Sequence, residues 1–182
     1  MNKKIYKLIN DLYFEHDLRE EDLVYLLDNM DSEDVDYLLG LAYNTRNNHY
    51  GKAIYLRGLI EFSNYCKREC KYCGINTFNR DVKRYRMTKK EIFDTCKEGY
   101  KLGFRTFVLQ GGEDPYFTDK RICDIVKAVK KLFPDVAITL SLGERPIESY
   151  RAMKFAGADR FLLRHETSNP GLYRWLHPFS SL

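Results

Sequence analysis

The stretch Ile54-Tyr55-Leu56-Arg57-Gly58-Leu59-Ile60-Glu61-Phe62 runs directly into Ser63-Asn64-Tyr65-Cys66-Lys67-Arg68-Glu69-Cys70-Lys71-Tyr72-Cys73. The first part reads as a strand, and the second as a loop crowded with sulfur. Three further apolar runs follow, Thr106 to Leu109, Ala137 to Leu140 and Arg160 to Leu163, each bounded by Gly, Pro or polar residues. Their apolar residues occupy successive positions, the pattern of parallel strands covered on both faces. The segments between them carry helix signals. Thr88 and Glu91 form a capping box, which Met87 and Ile92 can staple, and Gly103 stands where a C-cap glycine belongs. Thr118 caps the next helix and Pro134 stops it; Pro146 suits the first turn of the following one, and Gly157 ends it. Upstream, Leu23, Leu26, Leu27 and Met30 recur at helical spacing, as do Val35, Leu38, Leu39 and Ala42 after Asp31, an N-cap residue. The expected organisation is a helical extension over residues 1–50, then four parallel βα units over 51–182, with no linker between.

Strand and helix in alternation give an α/β fold, either a barrel or an open doubly wound sheet. The positions of the unusual residues favour a barrel. After the first strand come the cysteines; after the second, Gln110-Gly111-Gly112-Glu113-Asp114-Pro115; after the third, Ser141-Leu142-Gly143-Glu144; after the fourth, Arg164-His165-Glu166-Thr167. All of these lie at the carboxyl ends of strands, where TIM-type barrels assemble their sites from several strands at once. An open sheet concentrates its site at one switch point.

Five cysteines are an odd number, and three crowd into one loop, which suits thiolate ligation in a reducing compartment better than a disulfide framework. Three thiolates can hold three corners of an iron-sulfur cluster and leave one iron free to chelate a small molecule. Spacings of this length also serve zinc, which would need a fourth ligand. Cys96, a turn from Ile92 and Tyr100, and Cys123, among Ile122, Val126 and Val129, read as core residues, and His49 stays open as that ligand.

Lys plus Arg number 30 against 26 for Asp plus Glu, and the net charge of +4 is spread without a basic run. That gives no support to nucleic-acid binding. Met1 to Asn10 has no apolar h-region, and no apolar run reaches spanning length, so a soluble, cytoplasmic protein without membrane contact is expected.

The CxxxCxxC spacing with Tyr72 before the third cysteine resembles the radical S-adenosylmethionine (SAM) superfamily. The resemblance implies a [4Fe-4S] cluster on Cys66, Cys70 and Cys73, with SAM on the open iron and reductively cleaved to a 5'-deoxyadenosyl radical. Gly111-Gly112-Glu113 resembles the motif that holds the methionyl amino group. By the same resemblance Arg164 meets the SAM carboxylate and Glu166 the ribose hydroxyls, leaving the strand on alternate positions toward one side. Tyr72 and Ser141 join the cofactor-binding set, although Ser141 to Glu144 also reads as an ordinary turn. Arg164 and Glu166 also read as a pair closing the strand end. The resemblance singles out no catalytic residue.

From about Tyr50 to Pro178 the likeness sharpens toward the HydE family of [FeFe]-hydrogenase maturases, carried by Tyr55 to Asn64, Phe107 to Tyr116 and Leu163 to Thr167. Biotin synthase and methylornithine synthase are near relatives. The HydE resemblance implies an iron-cysteine carbonyl-cyanide precursor as substrate and a reduced donor such as ferredoxin or flavodoxin. It also implies a companion maturase and a scaffold GTPase as partners. A rival from another class is a non-enzymatic module that binds metal through its cysteines. A complete barrel needs about eight strands and roughly 250 residues, so a chain shortened at its carboxyl end is expected, with open edges on strands one and four that invite association.

Overall fold

The computed structural model describes residues 2–180, and the chain divides between Tyr55 and Leu56 into two compact units. The first contains α1 (Lys3–Glu15), α2 (Glu20–Asn29) and α3 (Ser32–Tyr50). Asp31 caps α3 in a full capping box with Asp34. The small core of this unit is Ile5, Leu8, Ile9 and Leu26, with Tyr37, Leu38 and Leu41 packed against it. The helical spacing therefore located the helices but only part of their buried faces. Leu23, Leu27, Val35, Leu39 and Ala42 are exposed, because α3 turns Tyr37, Leu38 and Leu41 toward α1 instead.

The second unit runs β1 (Gly58–Ser63), α4 (Lys89–Lys101), β2 (Thr106–Gly111), α5 (Asp119–Leu132), β3 (Ala137–Ser141), α6 (Ile147–Ala156), β4 (Arg160–Phe161) and α7 (Pro170–Leu176). All pairings are parallel and the strand order is β1-β2-β3-β4, so each βα unit lies beside its predecessor. The caps follow from the sequence. Thr88 and Glu91 close the box on α4, Thr118 caps α5, and Gly157 ends α6 with φ of 110°. Pro146 is the N-cap of α6 and lies one residue before its first turn.

Three strand expectations are corrected. β1 begins at Gly58, and Ile54, Tyr55 and Leu56 are 81%, 72% and 71% exposed, since pairing starts only at Gly58 opposite Phe107. β4 ends at Phe161, and Leu162 and Leu163 are exposed beyond its last partner, Leu140. The sheet is covered on one face. Ile60, Phe62, Phe107, Leu109, Ile138 and Leu140 pack against Ile92, Cys96, Ile122, Val126, Val129 and Met153 from the helices, whereas Leu59 and Glu61 stay exposed. Burial on β1 thus alternates with the period of two that a pleated strand dictates. Among the described residues no helix is long and apolar enough to cross a membrane.

Candidate metal centre

At the end of β1 the register with β2 slips, Glu61 facing Gln110 and Ser63 facing Gly111, and the chain leaves the sheet into the cysteine loop. The loop is built from the backbone outward. The Arg84 guanidinium donates to the carbonyls of Asn64, Ile75, Asn76 and Asn79 at 2.5 to 2.9 Å, drawing both ends of the loop together. Asn64 joins Lys83 and Tyr85 across the same gap. Ser63 donates to buried Asp114 at 2.6 Å, and Asp114 is gripped by Arg86, whose guanidinium lies over the Tyr65 ring.

Cys66, Cys70 and Cys73 are free, partly exposed, and line one cavity of about 270 Å³ with Glu61, Gly111, Gly112, Glu113, Ser141 and Arg164. Residues from the ends of all four strands therefore converge there. The backbone N–H groups of Arg68 and Glu113 both donate to Cys66 Sγ at 3.4 Å. Burial pushes the Cys70 thiol up, and charge on Cys66 and Cys73 pushes it further. Three cysteine side chains thus share one cavity. Among the described residues no group of three or more His, Cys, Asp or Glu side chains is disposed to hold a single metal ion. By donor chemistry three cysteines on one cavity wall fit an iron-sulfur cluster with an open corner, whereas a closed zinc site would need a fourth ligand. Cys96 and Cys123 are core residues, and burial carries the Cys96 thiol up to about 11.

The glycines allow close approaches around this cavity. A Cβ on Gly112 would lie 2.3 Å from the Tyr65 carbonyl oxygen and 2.6 Å from Cys66 Cβ, so this residue lets the β2 turn press against the cysteine loop itself. Gly143, at φ of 71°, leaves room for Glu113, whose Cγ would be 2.3 Å from an added Cβ. Glu113 receives Arg68 Nε at 2.7 Å and the Glu144 N–H at 3.1 Å, with Lys67 Nζ 3.6 Å away. Arg68 also reaches Glu144 at 3.0 Å, tying three loops together.

Arg164 is exposed at the cavity and has no ion pair among the described residues. Glu166 is not on the cavity wall. With β4 ending at Phe161 and Glu166 at φ of 63°, the strand alternation that would aim both side chains one way does not extend to them, and among the described residues no ion pair joins Arg164 to Glu166. Glu166 lies instead near enough to Tyr72 for its charge to act there. Tyr72 is half exposed beside the cavity, and its hydroxyl meets His177 Nε2 at 2.7 Å. Burial pushes the Tyr72 phenol up, followed by the charges of Cys70 and Glu166. Arg68, Tyr173 and His177 were missed in the sequence, although all three line the cavity. The only available signal for His177 was its burial-prone aromatic context in Tyr173 to Pro178.

Residues 60–180 match the family model described as "Radical SAM superfamily". The chain is 50% identical over 144 residues to the "[FeFe] hydrogenase maturase subunit HydE" of Thermotoga maritima, covering 79% of this chain and 41% of that protein. It is 34% identical over 161 residues to the 3-methylornithine synthase of Methanosarcina acetivorans, covering 87% and 45% respectively. The crystal structure of methylornithine synthase (PylB) superposes with a TM-score of 0.84 at 32% identity, over 96% of this chain and 52% of that one. The chain thus spans less than half the length of these two curated relatives.

Proposed function

The chain belongs to the radical SAM superfamily, and from that premise we propose that Cys66, Cys70 and Cys73 hold a [4Fe-4S] cluster whose open iron binds SAM. When bound, the pair supplies a 5'-deoxyadenosyl radical by one-electron cleavage of the sulfonium, chemistry that belongs to the cofactors. The protein's part is to bind, orient and exclude water. The observation that carries this reading is the convergence of three thiols and the Gly112-Glu113 turn on one cavity, with the Glu113 N–H on Cys66 Sγ.

Within it, each residue has a defined task. Glu113 offers a carboxylate to the SAM ammonium, a charge-assisted contact, while Arg68 and the Glu144 N–H hold that carboxylate in place. Arg164, an exposed cation at the cavity, takes the SAM carboxylate. Ser141 adds a hydroxyl on the cavity wall, and Tyr72 flanks the nucleotide beside Glu166. Gly111 and Gly112 keep the β2 turn low enough for these groups to meet.

The substrate reading follows the 50% identity to the Thermotoga protein: a maturase acting on an iron-cysteine carbonyl-cyanide precursor, with a reduced ferredoxin or flavodoxin, a companion maturase and a scaffold GTPase as partners. A second reading, a methylornithine synthase-like enzyme, is favoured by the 34% identity over more of the chain. Anaerobic reconstitution with iron and sulfide, followed by absorption and spin-resonance spectra with and without SAM, tests the cofactor assignment. A SAM-perturbed cluster signal is expected; colourless protein carrying one zinc overturns it. Complementation of a hydrogenase-producing host lacking its own maturase separates the two substrate readings.

A further inference from the structure

Tyr72 stands between two of the cysteines and its phenol carries a single proton, for which two acceptors compete. One is His177 Nε2, 2.7 Å from the hydroxyl oxygen. The other is the Cys70 sulfur, near enough for its charge to act on the phenol, although the hydroxyl is bonded to His177. The outcome is set on the far side of the imidazole. His177 Nδ1 lies 3.1 Å from the Tyr173 carbonyl oxygen, which can only accept, so Nδ1 bears the hydrogen and Nε2 of the neutral ring is left as an acceptor. The phenol therefore donates to His177.

Three further contacts keep the imidazole there. His177 is 8% exposed and stacks on Tyr173 with ring centroids 4.2 Å apart. The Lys71 N–H donates to the Leu176 carbonyl at 3.0 Å, and Lys71 Nζ sits 4.3 Å over the Trp175 ring, so the end of α7 is docked on the cysteine loop itself.

We propose that His177 is a positioning residue which holds the Tyr72 proton away from the Cys70 sulfur and thereby keeps the cysteine-bound centre strongly reducing. A hydrogen bond to a cluster sulfur stabilises the reduced, more negative state and raises the potential, so withholding one lowers it. A centre that must pass an electron to a sulfonium benefits from the lower potential. The inference rests on the cluster reading above.

The test is the midpoint potential of the anaerobically reconstituted full chain, read by spin-resonance titration alongside iron and sulfide content. His177→Phe keeps the stacked ring but cannot accept, and should shift the potential to more positive values. Tyr72→Phe and the double variant, both lacking the phenol proton, should stay together near the wild type. His177→Gln, whose amide oxygen can take the same proton, should restore a near wild-type value. Should His177→Phe not fold or load, His177→Leu provides a smaller side chain that also cannot accept. A wild-type potential in the non-accepting variant, or a positive shift that persists in the double variant, overturns the proposal while leaving the cluster assignment intact. A wild-type chain that takes up no iron and sulfide overturns the assignment and this inference with it.

Discussion

The Arg86 guanidinium grips the Asp114 carboxylate side-on, Nε to Oδ2 at 2.7 Å and Nη2 to Oδ1 at 2.9 Å. Asp114 belongs to the β2 turn and Arg86 to the return from the cysteine loop, so this pair sutures the two segments that meet at the candidate centre. Asp114 also accepts from Ser63 and from the Tyr116 N–H.

Removing one member of a buried pair leaves an uncompensated charge. With Arg86 a third exposed, water screens part of the loss, and Asp114→Ala should cost about 2 to 3 kcal/mol. Urea unfolding followed by the fluorescence of Trp175, the single tryptophan, measures it. A midpoint equal to wild type would refute the suture.

The same carboxylate gives a pH signature. Burial pushes Asp114 up, but hydrogen bonds from Arg86, Ser63 and the Tyr116 N–H, with the Arg86 charge, outweigh burial and hold it below the usual carboxylate range. A depressed folded value contributes stability above the unfolded value of about 3.9 and loses it as pH falls through the folded value. The stability gap between wild type and Asp114→Asn should therefore be constant above about pH 5 and shrink below about pH 4. A gap that does not narrow on acidification argues against the sign assigned here.

Gly112→Ala places a methyl group 2.3 Å from the Tyr65 carbonyl oxygen and 2.6 Å from Cys66 Cβ. Neither neighbour is a flexible tip, so the cysteine loop must move. The expected result is a clear loss of iron and sulfide bound after reconstitution, with the far-ultraviolet dichroism of the fold retained. Full occupancy in the variant would show that the loop tolerates displacement.

Arg164→Ala removes an exposed cation from the cavity without touching the cysteines or the core. SAM affinity should drop by about tenfold, the loss of about 1.4 kcal/mol expected of a charge-assisted contact in a half-open site. The cluster spectrum should not change. Calorimetric titration of the loaded chain with SAM decides it, and undiminished affinity would remove Arg164 from the proposed set.

Local chemistry made much of this structure legible in the sequence. Capping residues at Asp31, Thr88 and Thr118 and the glycine at 157 marked helix ends, because each satisfies a backbone need within a few residues. Strand extent was less legible. Ile54 to Leu56 are as apolar as any strand, but pairing depends on a partner, and the β1–β2 register begins only at Gly58 opposite Phe107. The same holds for Leu162 and Leu163. At the site, the cysteines and Gly111 to Glu113 announced themselves by residue type and spacing. Arg68 and His177 did not, since an arginine between cysteines and a histidine near a proline carry no pattern until the chain folds and supplies their partners. The alternation expected to set Glu166 beside Arg164 stops at Phe161, because an extended period does not run past a strand's last pairing into a left-handed residue.

The bond between Tyr72 and His177 spans 105 residues of chain. During synthesis the three sulfurs thus emerge from the ribosome well before the helix that braces their loop. A nascent chain lacks that brace until α7 is made, so under the proposed assignment iron delivered early would meet an unbraced claw, and secure metallation would be a late event in the life of the polypeptide.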